Sequence, residues 1–466
     1  MNDVIETDYL VVGAGAAGMT FTDALLAHSD ADVTIVDRRH SPGGHWLDAY
    51  PFVRLHQPST FYGVSSVPLG SDALNRSGLN AGFHELASAD ELRAYFARVM
   101  HQHFIPSGRV RYFPCSDHVA GANGAHRFTS RLTGATTEVR VRRKLIDTAY
   151  LEGSVPALDP PPFQVAEGVR CVPAGDVARL DQPAGRFVVI GAGKTALDTC
   201  VWLLGQGVPP ASIGWIKPRE GWWLNRRYHQ PHGFLPDFFA GIGLQLEAIA
   251  QAGSIDDVFL KLETDGFFLR VDTSVLPTMC RAAVVSELEL ELLRRIEDVV
   301  RLGAVRRIER DRIVLDGGSV PTDANTVHVH CAARGPARAA LRPIFEADRV
   351  TVQPTFWGFA SYQFALLGVV EASIESDEEK NRLCPPIPYW DRNADYLSAY
   401  RAALIFEQAR AAYPAVADWA KATRLNPLSA IGQHRDHPKV IETFGRIKTF
   451  GAAAAGNIGK LLRAQA

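Results

Sequence analysis

The chain has 466 residues, with 49 Lys and Arg against 51 Asp and Glu and a formal net charge of −2; that length allows two or three domains with sizeable cores, and the near-neutral balance marks neither a nucleic-acid nor an anionic-membrane partner. No stretch of about 20 apolar residues is free of charges or breakers, so no membrane span is predicted. The six cysteines, Cys115, Cys171, Cys200, Cys280, Cys331 and Cys384, are scattered, which excludes a local redox dithiol and fits reduced, buried thiols in the cytoplasm.

The apolar run Tyr9-Leu10-Val11-Val12 reads as a strand that opens into Gly13-Ala14-Gly15-Ala16-Ala17-Gly18. In such a phosphate loop the first glycine turns the chain off the strand. The second lets a pyrophosphate approach the backbone, and the third lets the following helix pack on the sheet. The helix N-terminus then offers free N–H groups and a positive dipole end. The strand begins within ten residues of Met1, which leaves no room for a signal peptide. A second strand, Val33-Thr34-Ile35-Val36, ends at Asp37, nineteen positions beyond Gly18. An acid there accepts from a ribose 2′-hydroxyl and repels a 2′-phosphate, which suits FAD or NAD.

A helix is predicted across Ala89 to Val99, and Asp159-Pro160-Pro161-Pro162 reads as a linker. The strand Phe187-Val188-Val189-Ile190 then leads into a second loop, Gly191-Ala192-Gly193-Lys194-Thr195-Ala196, with Ala196 at the close-packing position. Its next strand, Ser212 to Ile216, is followed by Lys217 and Arg219 where an NAD site would carry an acid. Cations there pair with a 2′-phosphate and favour NADPH, although Glu220 lies beside them. Trp222 to Arg227 either lines a cleft or forms an aromatic loop under a domain interface. A long helix is predicted from Ser286 to Ile296 and a strand from Val327 to Cys331. From about residue 340 the chain is expected to return to the first domain, and residues 393–466 read as mostly helical. Two loops of this kind imply an α/β protein with two Rossmann-like dinucleotide-binding domains and a helical C-terminal extension. The expected boundaries are 1–180 for the first part of the FAD domain, 181–340 for the NAD(P)H domain and 341–466 for the remainder. His229 and His232 have weak metal-like spacing without a third ligand, so no metal is expected. The oligomeric state stays open.

The chain resembles flavin-dependent monooxygenases with two dinucleotide domains, the group that includes the Baeyer–Villiger and heteroatom-oxygenating enzymes. Gly43-Gly44-His45-Trp46 resembles their Gly-Gly-x-Trp stretch, and Tyr50-Pro51-Phe52-Val53-Arg54-Leu55-His56 their Tyr-Pro-Gly-x-Arg-Cys-Asp. Arg270-Val271-Asp272-Thr273 through Cys280-Arg281 resembles the segment that supplies an active-site arginine. The resemblance implies FAD on the first loop, with Gly44 and Trp46 beside it, and NADPH on the second. It implies hydride transfer to the flavin, formation of a C4a-(hydro)peroxide with O2, and insertion of one oxygen atom into a small organic substrate. Arg270 would be the cation beside the peroxide. His56 replaces an aspartate and would change charge near about pH 6.5.

Three departures stand beside this. The Phe-x-Gly-x-x-x-His fingerprint is replaced by Phe163 to Val172, with altered spacing and no histidine. The later Ala-Thr-Gly motif appears as Cys331-Ala332-Ala333-Arg334-Gly335, and the C-terminal hundred residues have no counterpart. Two further readings therefore fit the loops: an FAD-dependent reductase or oxidase that does not oxygenate substrate, and a non-catalytic flavoprotein redox sensor. Trp357-Gly358-Phe359 and Gln363-Phe364 are expected to return to the flavin ring.

Overall fold

The structure is a computed structural model and describes every residue except 1–3, 121–124, 151, 154, 334, 336–338, 357, 465 and 466. Arg334 and Trp357 thus lie outside the described residues.

The first sheet is built around Val4–Val12, which pairs in parallel with Val33–Val36 on one side and Thr136–Asp147 on the other. Val110–Phe113 extends it beyond Val33–Val36, and Arg349–Thr351 pairs in parallel with the C-terminal end of Thr136–Asp147. All four residues of Val33–Val36 are buried, as expected of a parallel strand covered on both faces. The helix Ala16–Ala27 packs on Ala360–Ser373. Gly368 makes this possible, because a Cβ there would stand 2.5 Å from the Phe21 carbonyl oxygen. The returning chain therefore supplies both a strand and a helix to the first unit.

The second sheet is wholly parallel, in the order Val299–Val300, Ile213–Ile216, Arg186–Ile190, Thr326–His330, Cys171–Pro173. Its helix Lys194–Gly205 follows the second glycine loop. The helix read from Ser286 onward is Glu287–Leu293; Ser286 and Glu289 close a capping box at its start, and it ends a turn earlier than the apolar pattern suggests. The helix Ala89–Val99 is present, capped by Ser88 and Glu91.

Trp222 to Arg227, read as cleft lining or an aromatic loop, begins in a buried strand, Gly221–Asn225, beside Phe268–Leu269 and Met279–Val285, and Trp222, Trp223 and Leu224 also line a cleft. The C-terminal helices Asn393–Ala409 and Pro438–Arg463 cover this small sheet and its neighbour Leu235–Gln251, where Arg446 pairs with Glu247. Among the described residues no helix is long and apolar enough to cross a membrane.

Candidate functional site

The first loop has the backbone its glycines demand. Gly13 has φ +108°, and a Cβ on Gly18 would lie 2.0 Å from the Gly13 carbonyl oxygen. No side chain caps the helix that begins at Ala16, which leaves its first N–H groups open to an anion. Asp37 is buried beneath the loop, where it accepts the backbone N–H groups of Ala14 and Arg39. Gly44, at φ +58°, lies so close to Gly15 that a Cβ on it would stand 2.8 Å from the Gly15 Cα. The loop, the buried acid and the Gly-Gly turn thus form one unit, and its bare backbone fits a dinucleotide pyrophosphate.

From Gly44 the chain enters a cleft of about 680 Å³ that extends to the second loop. Trp46 lines it and donates its indole N–H to Tyr62 Oη at 2.9 Å. Gln363, Phe364 and Phe359 line the same end. Arg424 donates to the carbonyls of Tyr62 and Val67, at 3.1 and 2.9 Å, so the C-terminal region braces this wall.

The opposite end is the second loop. Gly191 has φ +146°, and a Cβ there would lie 2.7 Å from the Cys331 carbonyl oxygen. Ala196 is fully buried at the helix–sheet contact, where its methyl group is accommodated. No side chain caps the helix starting at Lys194. Here too the bare backbone and open helix end fit a pyrophosphate.

Arg281 lines the cleft together with Arg54 and Arg219. Its Nη1 lies 3.8 Å from the point where a Gly193 side chain would begin. Its Nε and Nη2 donate to Asp391 Oδ1 at 2.9 and 2.8 Å. Asp391 also accepts both Nη groups of Arg219, at 3.0 and 2.7 Å. Burial raises the Asp391 carboxyl, but the two guanidinium groups outweigh it and hold the group down at about 2.

Arg270, expected beside the flavin, is elsewhere. It does not line the cleft; it pairs bidentately with Glu263, at 2.7 and 2.6 Å, behind the ring of Trp222. The resembling segment ran from Arg270 to Arg281, and the strand Met279–Val285 carries its far end, not its near end, into the cleft. Lys217 is likewise withdrawn from the site. It is 2 % exposed, bonds Glu220 and sits 4.4 Å over Trp215. Only Arg219 of the expected 2′-phosphate pair reaches the cleft.

His56 lines the cleft, but its expected charge change does not hold. Burial, with Lys194 and Arg226 nearby, pushes it down to about 3. Its Nδ1 accepts the Val284 N–H at 3.3 Å, so the neutral ring carries its proton on Nε2.

Around it lies a buried charge network that sequence reasoning missed. Lys194 pairs with Asp198 and, at 3.7 Å, with Glu289. Tyr50 donates to Asp198 at 2.7 Å, and Arg226 pairs with Glu289 at 2.7 Å and donates to Asn80 at 3.2 Å. Burial raises Glu289, yet Lys194 and Arg226 keep its carboxyl below the ordinary range. Two cations and two anions balance, and the network ties the 50–80 segment to the second unit. Lys194 and Asp198, one helical turn apart, were the available signal. Nothing in the sequence flagged Asp391.

Residues 11–62 match the family model described as an NAD(P)-binding Rossmann-like domain. Uncharacterized proteins of Mycobacterium tuberculosis and Mycobacterium bovis are 45% identical to this chain over 440 residues, covering 94% of it and 81% of their own length. Among solved structures, cyclohexanone-bound cyclohexanone monooxygenase is similar at 10% identity and TM-score 0.49, over 79% of this chain and 86% of its own. A flavin-containing monooxygenase from Stenotrophomonas maltophilia is similar at 17% identity and TM-score 0.42, over 89% and 99%. A bacillithiol disulfide reductase from Bacillus cereus is similar at 13% identity and TM-score 0.41, over 71% and 78%. These distant likenesses assign no chemistry to this chain.

Proposed function

We propose that this chain, which belongs to the same family as those mycobacterial proteins, is an FAD-dependent, NADPH-using monooxygenase of small organic substrates. The observation that carries the reading is a single cleft with the second glycine loop at one end and, at the other, the segment packed on the first loop. Two dinucleotides laid on these loops meet in that cleft. The net reaction is NADPH, a proton, O2 and substrate giving NADP⁺, oxygenated substrate and water.

Bound FAD supplies a two-electron acceptor that, once reduced, reacts with O2. The chain supplies the rest. Gly13, Gly15, Gly18 and Asp37 hold FAD, with Gly44 and Trp46 fixing its approach to the cleft. Gly191, Gly193 and Ala196 hold NADPH, and Arg219 stands where its 2′-phosphate would be met. Arg281 presents a fixed cation beside Gly193, suited to stabilise negative charge that develops in the cleft. His56 presents a neutral Nε2–H donor, and the Lys194 ammonium lies between Asp198 and Glu289.

The aromatic wall, with Trp222, Trp223 and Trp390 lining the cleft, suits an apolar organic substrate. Their indole N–H groups are turned away from solvent and have no partner among the described residues. The first test is cofactor content and anaerobic reduction: the purified protein is expected to release FAD on denaturation and to bleach with NADPH. Absence of flavin from correctly folded protein removes the reading.

A further inference from the structure

Arg219 is the cleft cation nearest the end of Ile213–Ile216, yet its fork is already filled. Both Nη groups donate to Asp391, one to each carboxylate oxygen. A 2′-phosphate engages arginine best through that same fork. Asp391 is also firmly placed. Its N–H donates to Asp395 Oδ2 at 3.1 Å and its carbonyl accepts the Cys280 N–H at 3.1 Å. The neighbouring cations offer no substitute: Lys217 is committed to Glu220, and Arg301 to Glu220 and Asp272. Arg219 itself remains accessible, with 37% of its side chain exposed.

We propose that Asp391 is a specificity-determining residue: its carboxylate occupies the fork of Arg219 as an internal anion, so a cofactor 2′-phosphate binds only by displacing it. This rests on the reading of the second loop as the NADPH site. It follows that affinity for the phosphorylated ribose is set by competition with Asp391. Discrimination between NADPH and NADH is therefore weaker in this chain than a free arginine would give. Neutralising Asp391 releases the fork and removes a negative charge from the phosphate's path. Arg281 keeps its Nη1 toward Gly193 and does not depend on the 2′-phosphate.

The test titrates the intact protein, as purified, with adenosine 2′,5′-bisphosphate and with 5′-AMP by calorimetry. Asp391→Asn is expected to tighten the bisphosphate by about tenfold or more, the scale of one charge-assisted contact. It is expected to change 5′-AMP by less than about threefold. Arg219→Gln in the Asp391→Asn background is expected to abolish the gain. In wild type, saturating bisphosphate but not 5′-AMP is expected to change the emission of the adjacent Trp390, and Trp390→Phe to remove that change; this arm stands even if Asp391→Asn misfolds. Unchanged or weaker bisphosphate binding in folded Asp391→Asn, with both probes still bound, overturns the competition while leaving the loop assignment intact. Failure of both probes and of NADP⁺ to bind wild type overturns the loop assignment and the proposal with it.

Discussion

His56 Nδ1 accepts the backbone N–H of Val284 at 3.3 Å, a bond from the first unit to the strand that carries Arg281. The bond uses the lone pair that a second proton would need, and burial holds the ring's pKa down at about 3. In the unfolded chain the same ring titrates near about 6.5. Below that pH the unfolded state binds a proton that the folded state refuses, so stability falls as the pH falls from 6.5 toward 3 and is unaffected above it. At pH 5 the loss from this ring is about 2 kcal/mol. Denaturant midpoints measured from pH 7.5 to 4.5 are expected to fall, and His56→Gln to flatten part of that slope. A ring whose NMR shifts titrate near pH 6.5 in the folded protein contradicts this placement.

Gly15→Val is expected to give folded, colourless protein. The new side chain meets Gly44 Cα, 3.3 Å from its Cβ, and fills the approach to the bare loop. Circular dichroism checks the fold and visible absorbance the flavin. Full flavin content in this variant rules out the first loop as the FAD site.

Lys217 and Arg219 are expected to separate. Lys217→Met leaves Glu220 buried with Arg301 as its remaining partner, at a stability cost of about 3 kcal/mol, without changing the ratio of NADPH to NADH affinity. Arg219→Gln is expected to weaken NADPH relative to NADH with little loss of stability. The two ratios, measured in the reductive half-reaction, decide it; a specificity change confined to Lys217→Met reverses the assignment.

Arg270→Gln breaks the pair with Glu263 and is expected to lower the melting temperature while leaving turnover per folded, flavin-loaded molecule within about twofold. Arg281→Gln is expected to slow turnover by about 10²-fold, the scale of a lost preorganised charge contact, at nearly unchanged flavin content. Comparable turnover in the two variants removes Arg281 from the chemistry.

The parts that were legible in the sequence are those where local geometry dictates composition. Gly13 and Gly191 need a positive φ, and Gly18 and Ala196 a close helix–sheet approach. Val33–Val36 is β-branched and buried throughout because both faces are covered. Tertiary pairings were not legible, since they depend on which residue the fold carries opposite which. Lys217 looked free until Glu220 and Trp215 were placed around it. Arg270 was the expected cation, and only the course of the strand Met279–Val285 brings Arg281 into the cleft in its place. Asp391 lies 110 residues from Arg281 and 172 from Arg219, and no local pattern announces such a contact.

The most direct measurement is stopped-flow mixing of NADPH-reduced protein with oxygenated buffer, followed across the visible spectrum. A monooxygenase is expected to pass through a transient species distinct from both reduced and oxidised flavin, longer-lived with NADP⁺ bound because the filled cleft excludes water. In the presence of an apolar substrate it is expected to yield oxygenated product. Direct return to oxidised flavin with stoichiometric hydrogen peroxide, with or without NADP⁺ and substrate, contradicts the monooxygenase reading and identifies an oxidase or reductase on the same fold.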